Sequence, residues 1–474
     1  MFENEKPNLS YELVGLTDFN KDVDDFLQKM DIKISRKGFK FQIPFHFPLP
    51  ALSRRTIRIL LVVFNLTALL LSGFLGFKYV RPVRIQNMTL DQLWEYRTLA
   101  PVYSTPLVAD INNDHVNDVI VNSSDGKLYS LDGFTGKRHF FFETESPLLA
   151  SPVLLQRSSR EKHIVLATGE NRLYLLDSDK RCIWSTIRQD LDSPVISTPL
   201  VLKINGDEVL DIVVGAEDGK LYAFDGDRGW LIWKTKATKG RFFSTPLAMD
   251  INQDGISDLV IGSPENTVYG IDGRTGSKIW ETATEGPVNS SAVSLDKTTF
   301  FIGDEQGTIY KINSRTGRII ASVNTGSGIV STPVIINNPI QPLLVVPLQN
   351  GTVRTFSSAT LKSAWSYDTK SQDAFTSSPA VFDMNNDTSD DLVLTSRNGN
   401  VYILNGQNGK DLVRPYFTGN SISSSPVLAD INRDKQLEII FGSENGSITA
   451  LSLKTVPDKL ISANRIVYGS FLNK

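Results

Sequence analysis

Residues 244–283 read STPLAMDINQDGISDLVIGSPENTVYGIDGRTGSKIWETA, and this stretch decides the fold. It holds four short apolar runs, STPLAMD, LVIGSPE, TVYGIDG and RTGSKIWET, which we read as strands A to D, separated by turn-forming Asp, Asn, Pro and Gly. The opening phrase recurs as STP, ASP, SSP or SSA ending at Pro106, Pro152, Pro199, Pro246, Ala292, Pro333, Pro379 and Pro426. The intervals are 46, 47, 47, 46, 41, 46 and 47 residues. A period in the forties made of four short strands is that of a propeller blade. Eight copies predict an all-β, eight-bladed β-propeller with four-stranded antiparallel blades.

Two registers inside the repeat support this. An aromatic stands at the same place in strand C at Tyr129, Tyr174, Tyr222, Tyr269, Tyr310 and Tyr402, a constancy expected of packing. Trp184, Trp233, Trp280 and Trp365 follow the end of strand C by seven or eight residues, and are expected between neighbouring blades with the indole N–H bonded to a neighbouring loop. The eighth unit lacks its fourth strand. Leu93 to Arg97, at the other end of the domain, has the strand D pattern and is expected to close the ring, which removes the free sheet edges. A strand from Arg465 to Phe471 is the minor alternative.

Four A–B loops carry oxygen-bearing side chains at positions 1, 3, 5 and 9. They are Asp110, Asn112, Asp114 and Asp118; Asp250, Asn252, Asp254 and Asp258; Asp383, Asn385, Asp387 and Asp391; and Asp430, Asn432, Asp434 and Glu438. Hard oxygen donors at alternating positions of a tight loop are what Ca²⁺ requires, so up to four structural Ca²⁺ ions are expected; metal-free Asx-turns are the competing reading. Gly255 fills position six in unit four, while His115, Thr388 and Lys435 stand there in the others. In unit three Lys203 occupies position one, where its ammonium could replace an ion.

These loops resemble the FG-GAP repeats of integrin α-chain propellers, and the phrase Tyr-x-x-Asp-Gly-x-Thr-Gly-x-x-x-Trp resembles pyrroloquinoline-quinone-type eight-bladed propellers. Between them the resemblances cover residues 91 to about 452. They imply a binding, adhesion or assembly factor, with a quinone-dependent dehydrogenase as the alternative. That enzyme class typically uses an adjacent cysteine pair, and Cys182 is the single cysteine. The four histidines, His46, His115, His139 and His163, form neither a hydrolase triad nor a zinc-ligand pair, so no catalytic residue is assigned.

A protein or glycan partner is expected at the channel mouth opposite the carboxylate loops. There an apolar pair precedes most copies of the phrase, including Tyr103, Phe242, Phe243 and Phe375; mutual sealing of the channel is the alternative. Trp230, out of the tryptophan register in a C–D turn, is a further exposed candidate.

Near the start, Ile59 to Phe77 is nineteen residues without a charge, about 28 Å as a helix and long enough to cross a bilayer. Arg54, Arg55 and Arg58 precede it, and Lys78, Arg81 and Arg84 follow. The expected organisation is therefore a cytoplasmic tail at 1–55, a transmembrane helix at 56–80, a linker at 81–90 and the propeller at 91–474. The added Lys33, Arg36 and Lys37 favour a cytoplasmic N-terminus, with the propeller in the periplasm, a lumen or the cell exterior. Within the tail, Val23, Phe26, Leu27 and Met30 share a helical face, and residues 39–49 alternate aromatic and polar in an extended strip. A net charge of −3 from 49 basic and 52 acidic residues leaves no basic footprint for nucleic acid.

Overall fold

The computed structural model describes residues 89–454, apart from 160, 179–180, 187–189, 237, 239 and 372, together with Val467–Tyr468 and a two-strand pair, Glu12–Leu13 with Phe39–Lys40. The apolar stretch 59–77 and the helical face at 23–30 lie outside the described residues. Among the described residues no helix is long and apolar enough to cross a membrane.

Seven blades are continuous four-stranded antiparallel sheets, from Leu107–Glu143 in blade one to Ala380–Phe417 in blade seven. Strand A is innermost and short. Strand B, such as Asp258–Ser263, is buried throughout, whereas strand D, such as Ser363–Asp368, alternates between exposed and half-buried. Blade eight closes as the sequence implied: Thr89–Arg97 pairs with Ser447–Lys454 as the outer strand, with Thr89 opposite Lys454 and Arg97 opposite Ser447. The Asp91 carboxylate and Lys454 ammonium, 2.6 Å apart, reinforce the seam. Val467–Tyr468 does not complete that outer edge; it pairs with the inner strand Val427–Ala429, giving this blade a fifth strand.

The hydroxyls of the repeated phrase explain its recurrence. Its first serine closes onto the end of strand B: Ser104 Oγ accepts the Asn122 N–H at 3.0 Å and donates to the same residue's carbonyl at 2.9 Å. The next residue links blades around the channel. The N–H of Thr105 reaches Ser151 Oγ at 2.8 Å, that of Thr245 reaches Ser291 Oγ at 3.1 Å, and that of Ser378 reaches Ser425 Oγ at 3.0 Å.

The tryptophans join the blades further out. Trp94, Trp184, Trp233, Trp280 and Trp365 donate their indole N–H to Gly133, Gly226, Gly273, Ser314 and Gly406 carbonyls of the next blade, at 2.7 to 3.1 Å. Each ring covers the Gly of that blade's C–D turn. Gly276 has φ +69°, and a Cβ there would stand 2.6 Å from the Trp233 ring. Glycine is needed twice over, for the left-handed backbone and for the ring. Where the tryptophan is missing, so is the glycine. Blade five has Ala321 in the tryptophan register, opposite Lys311. The turn facing it in blade six has Leu361 at φ 55°, buried in the core cluster against which Ala321 packs.

Gly276→Ala is therefore expected to lower the stability of the propeller by about 2 kcal/mol or more, read by thermal or denaturant unfolding. Ala321→Trp should destabilise alone and be rescued by Leu361→Gly; additive effects in that double-mutant cycle would refute the exchange.

Candidate functional site

In blade four the A–B loop and the C–D turn meet on one face. Gly273 N–H donates to Asp258 Oδ1 at 2.9 Å, and Asn252 Nδ2 to Asp272 Oδ2 at 3.1 Å. The D–A and B–C loops meet on the other face, where the N–H of Ser124, Glu217, Glu305 and Glu444 each reach a carbonyl of the preceding D–A loop. The carboxylates and the apolar pairs thus lie on opposite faces.

The four carboxylate loops share one geometry. The position-one carboxylate accepts N–H groups later in its loop, as Asp383 does from Asp387 and Thr388 at 3.0 Å. The Asn Oδ1 at position three accepts the N–H of position five, and the Asp at position five accepts the N–H of position seven, in all four loops. Positions four and six take positive φ in every copy: Asn113 and His115, Gln253 and Gly255, Asn386 and Thr388, Arg433 and Lys435. A β-branched Thr388 at φ 72° is strained, so the glycine of unit four marks a backbone state that the other loops adopt without one.

Position nine behaves differently. Asp118, Asp258, Asp391 and Glu438 are fully buried, and one oxygen of each accepts the N–H of position two: Ile111, Ile251, Met384 and Ile431. The second oxygen of Asp391 accepts from Gly406 at 3.1 Å, that of Glu438 from Asn432 at 3.1 Å, and that of Asp118 meets His139 Nε2 at 2.9 Å. His139, on strand D of blade one, is a participant the sequence did not suggest, because the pairing crosses from one strand to another. Burial, with neighbouring carboxylates adding to it, pushes Asp391 and Glu438 up to about 8 and Asp118 up to about 6.

Oxygen donors of Ca²⁺ type are present at positions one, three, five and nine of each loop, and at all four positions they accept hydrogen bonds within the fold. Among the described residues no three His, Cys, Asp or Glu side chains are grouped as metal ligands. In blade three the expectation for Lys203 is corrected: its ammonium pairs with the exposed Glu208 outside the cluster, since Glu208 is solvent-accessible and Asp211 is buried against Ile204 N–H.

The apolar ring also needs correction. The first residue of each pair is core: Phe242 is 2% and Phe375 1% exposed. Phe242 fits against Gly215 and edge-on to Tyr269, and Phe375 edge-on to Tyr402. They are not docking residues, because the backbone alternates and sends only the second residue outward. Tyr103 is 41%, Leu149 50% and Phe243 46% exposed, with Ile196 half-buried between them. Asn289, Thr376 and Ser423 take this place in blades five, seven and eight, and half-buried Val330 takes it in blade six, so the exposed apolar positions fall in blades one, two and four. Trp230 is 65% exposed under the Arg228 guanidinium, but on the carboxylate face, apart from these positions.

The fold and its two faces define a closed eight-bladed propeller of the pyrroloquinoline-quinone repeat type. Residues 153–293 and 264–455 match the family described as outer membrane protein assembly factor BamB; together they exceed half of the chain, which belongs to that family. No curated protein matches it. Among solved structures, the computationally designed Ika8 protein is 15% identical with TM-score 0.59, covering 77% of this chain and 99% of its own. Sqt1 of Saccharomyces cerevisiae is 15% identical with TM-score 0.60, covering 78% and 100%. These likenesses concern the fold.

Asp211, buried in blade three, provides a pH test. Burial raises its carboxyl to about 6 in the folded chain, above its ordinary 3.8. A raised acid contributes stability that is complete below the unfolded value and lost as pH climbs through the folded one. Wild type should therefore lose about 2–3 kcal/mol relative to Asp211→Asn between pH 4 and pH 7, measured by urea unfolding across that range. Thr388→Gly should raise stability by about 1 kcal/mol by relieving the left-handed backbone; a loss would show that Thr388 has a role of its own.

Proposed function

We propose that this chain is a membrane-anchored, extracytoplasmic propeller that serves as a binding or assembly scaffold, holding a partner protein on the D–A face. The observation that carries this reading is the outward row of Tyr103, Leu149 and Phe243, at equivalent positions of separate blades on a rigid ring. Large apolar side chains exposed together near a channel mouth are the usual core of a protein contact. The family's description as an assembly factor agrees with such a role, and the lone Cys182 departs from the cysteine pair of the quinone enzymes. The anchor is the apolar stretch 59–77, and Lys33, Arg36 and Lys37 on its N-terminal side favour a cytoplasmic tail, with the propeller in the periplasm, a lumen or the cell exterior.

Ca²⁺ is assigned a structural part in the same proposal. The side-chain oxygens of positions one, three, five and nine would hold the ion, neutralise the gathered carboxylates and fix the A–B hairpins, leaving the opposite face free for the partner. A photocrosslinker at Phe243 should capture a specific protein in intact cells and lose it when Tyr103 and Leu149 become Ser. Capture of nothing at that face would refute the scaffold reading, and dye-linked alcohol or sugar oxidation after reconstitution with quinone would favour the enzyme. Chelation should lower the melting temperature; an ion at a hundredfold above its Kd stabilises by about 2.7 kcal/mol. An unchanged melt, with no metal detected by mass spectrometry, would remove Ca²⁺ from the proposal.

A further inference from the structure

Every blade presents one sheet edge to the central channel, that of its strand A. From blade one to blade eight these inner strands read LVA, VLLQ, LVL, LAM, VS, VII, AVF and VLA, without a charged side chain. The outer strands differ: Asp91, Arg138, Lys234, Lys278 and Asp368 put charge on the rim. Charge is a usual means of keeping a foreign strand off an exposed edge. The inner edges lack it, and their unpaired N–H and C=O groups are open to an added strand.

One inner edge has taken such a strand. Val467–Tyr468 pairs antiparallel with Val427 and Leu428, and it also lies beside Ala380–Phe382, the inner strand of blade seven. Among the described residues no other blade has a strand added at its channel edge. The two sides of blade eight are held unequally. Its outer strand meets strand C in eight residue pairs, with the Asp91–Lys454 ion pair besides, whereas the channel strand meets strand A in two. A ladder that short opens locally while the ring stays closed.

We propose that the channel edge of blades seven and eight is a docking site for an extended strand, and that the chain's own segment around Val467–Tyr468 is its resident, exchangeable occupant. Main-chain pairing supplies the recognition, so another extended segment occupies this edge only when Val467–Tyr468 leaves it. The site is thereby closed in cis. The inference goes beyond the scaffold reading, which concerns the outward row of side chains, and is independent of it.

Hydrogen exchange of the full chain, read by mass spectrometry, tests the proposal. The inner strand Val427–Ala429 should exchange about tenfold more slowly than its equivalent Leu107–Ala109 in blade one. Val467→Pro, which removes a main-chain donor, should abolish that difference and leave Thr89–Arg97 as protected as before. The melting temperature of the variant checks that the ring is intact. A fluorescein-labelled peptide of residues 463–474 should bind the Val467→Pro chain about tenfold more tightly than wild type, in which the edge is filled. Equally fast exchange of the two inner strands in wild type, or unchanged exchange at Val427–Ala429 in folded Val467→Pro, overturns the proposal. So does a peptide that binds both chains equally or neither.

Discussion

The contact between a strand D tryptophan and the C–D turn glycine of the next blade is the constraint on which the ring depends. Each blade is an ordinary twisted sheet, and nothing within it fixes its angle to its neighbour. The indole does so by a directional hydrogen bond to a carbonyl and by a ring laid on a residue with no side chain. Five of the eight junctions use this device, including the one where the N-terminal strand completes blade eight. At the Ala321 junction a leucine on the opposite partner fills the space, so the requirement is for volume and register rather than for tryptophan itself.

Rigid blades leave the loops free to differ. On one face, carboxylates are gathered in A–B loops whose backbones take left-handed angles even at histidine, threonine and lysine. On the other, one position per blade points outward and carries an exposed apolar side chain in blades one, two and four. The hydroxyl belt round the channel holds these positions at fixed spacing, and an exposed apolar residue on such a frame loses little further conformational freedom on contact.

Much of the fold could be read from periodicity. The recurring Ser-Thr-Pro phrase, the Thr-Gly turns and the strand C aromatics repeat because each blade solves the same packing problem, and Leu93 to Arg97 was recognisable as a displaced strand D by its tryptophan. The site was less legible. Phe242 and Phe243 are adjacent and chemically identical in the sequence, yet one is core and the other surface. Likewise the position-nine carboxylates share the spacing of the other acids, but the fold buries them fully. His139 meets Asp118 across the intervening strand C, a contact to which local spacing is blind.

The sequence by itself determined the number of blades, the closure of the ring and the places where carboxylates and apolar pairs occur, because these follow from a repeat that each unit must satisfy locally. Only the tertiary structure decided which of those side chains face solvent and which neighbours they meet. Exposure depends on backbone direction at the end of each D–A loop, and charge balance depends on loops some forty residues apart in the chain that the ring brings side by side. That is why the exposed row of Tyr103, Leu149 and Phe243 is absent from any single stretch of sequence and present on the folded surface.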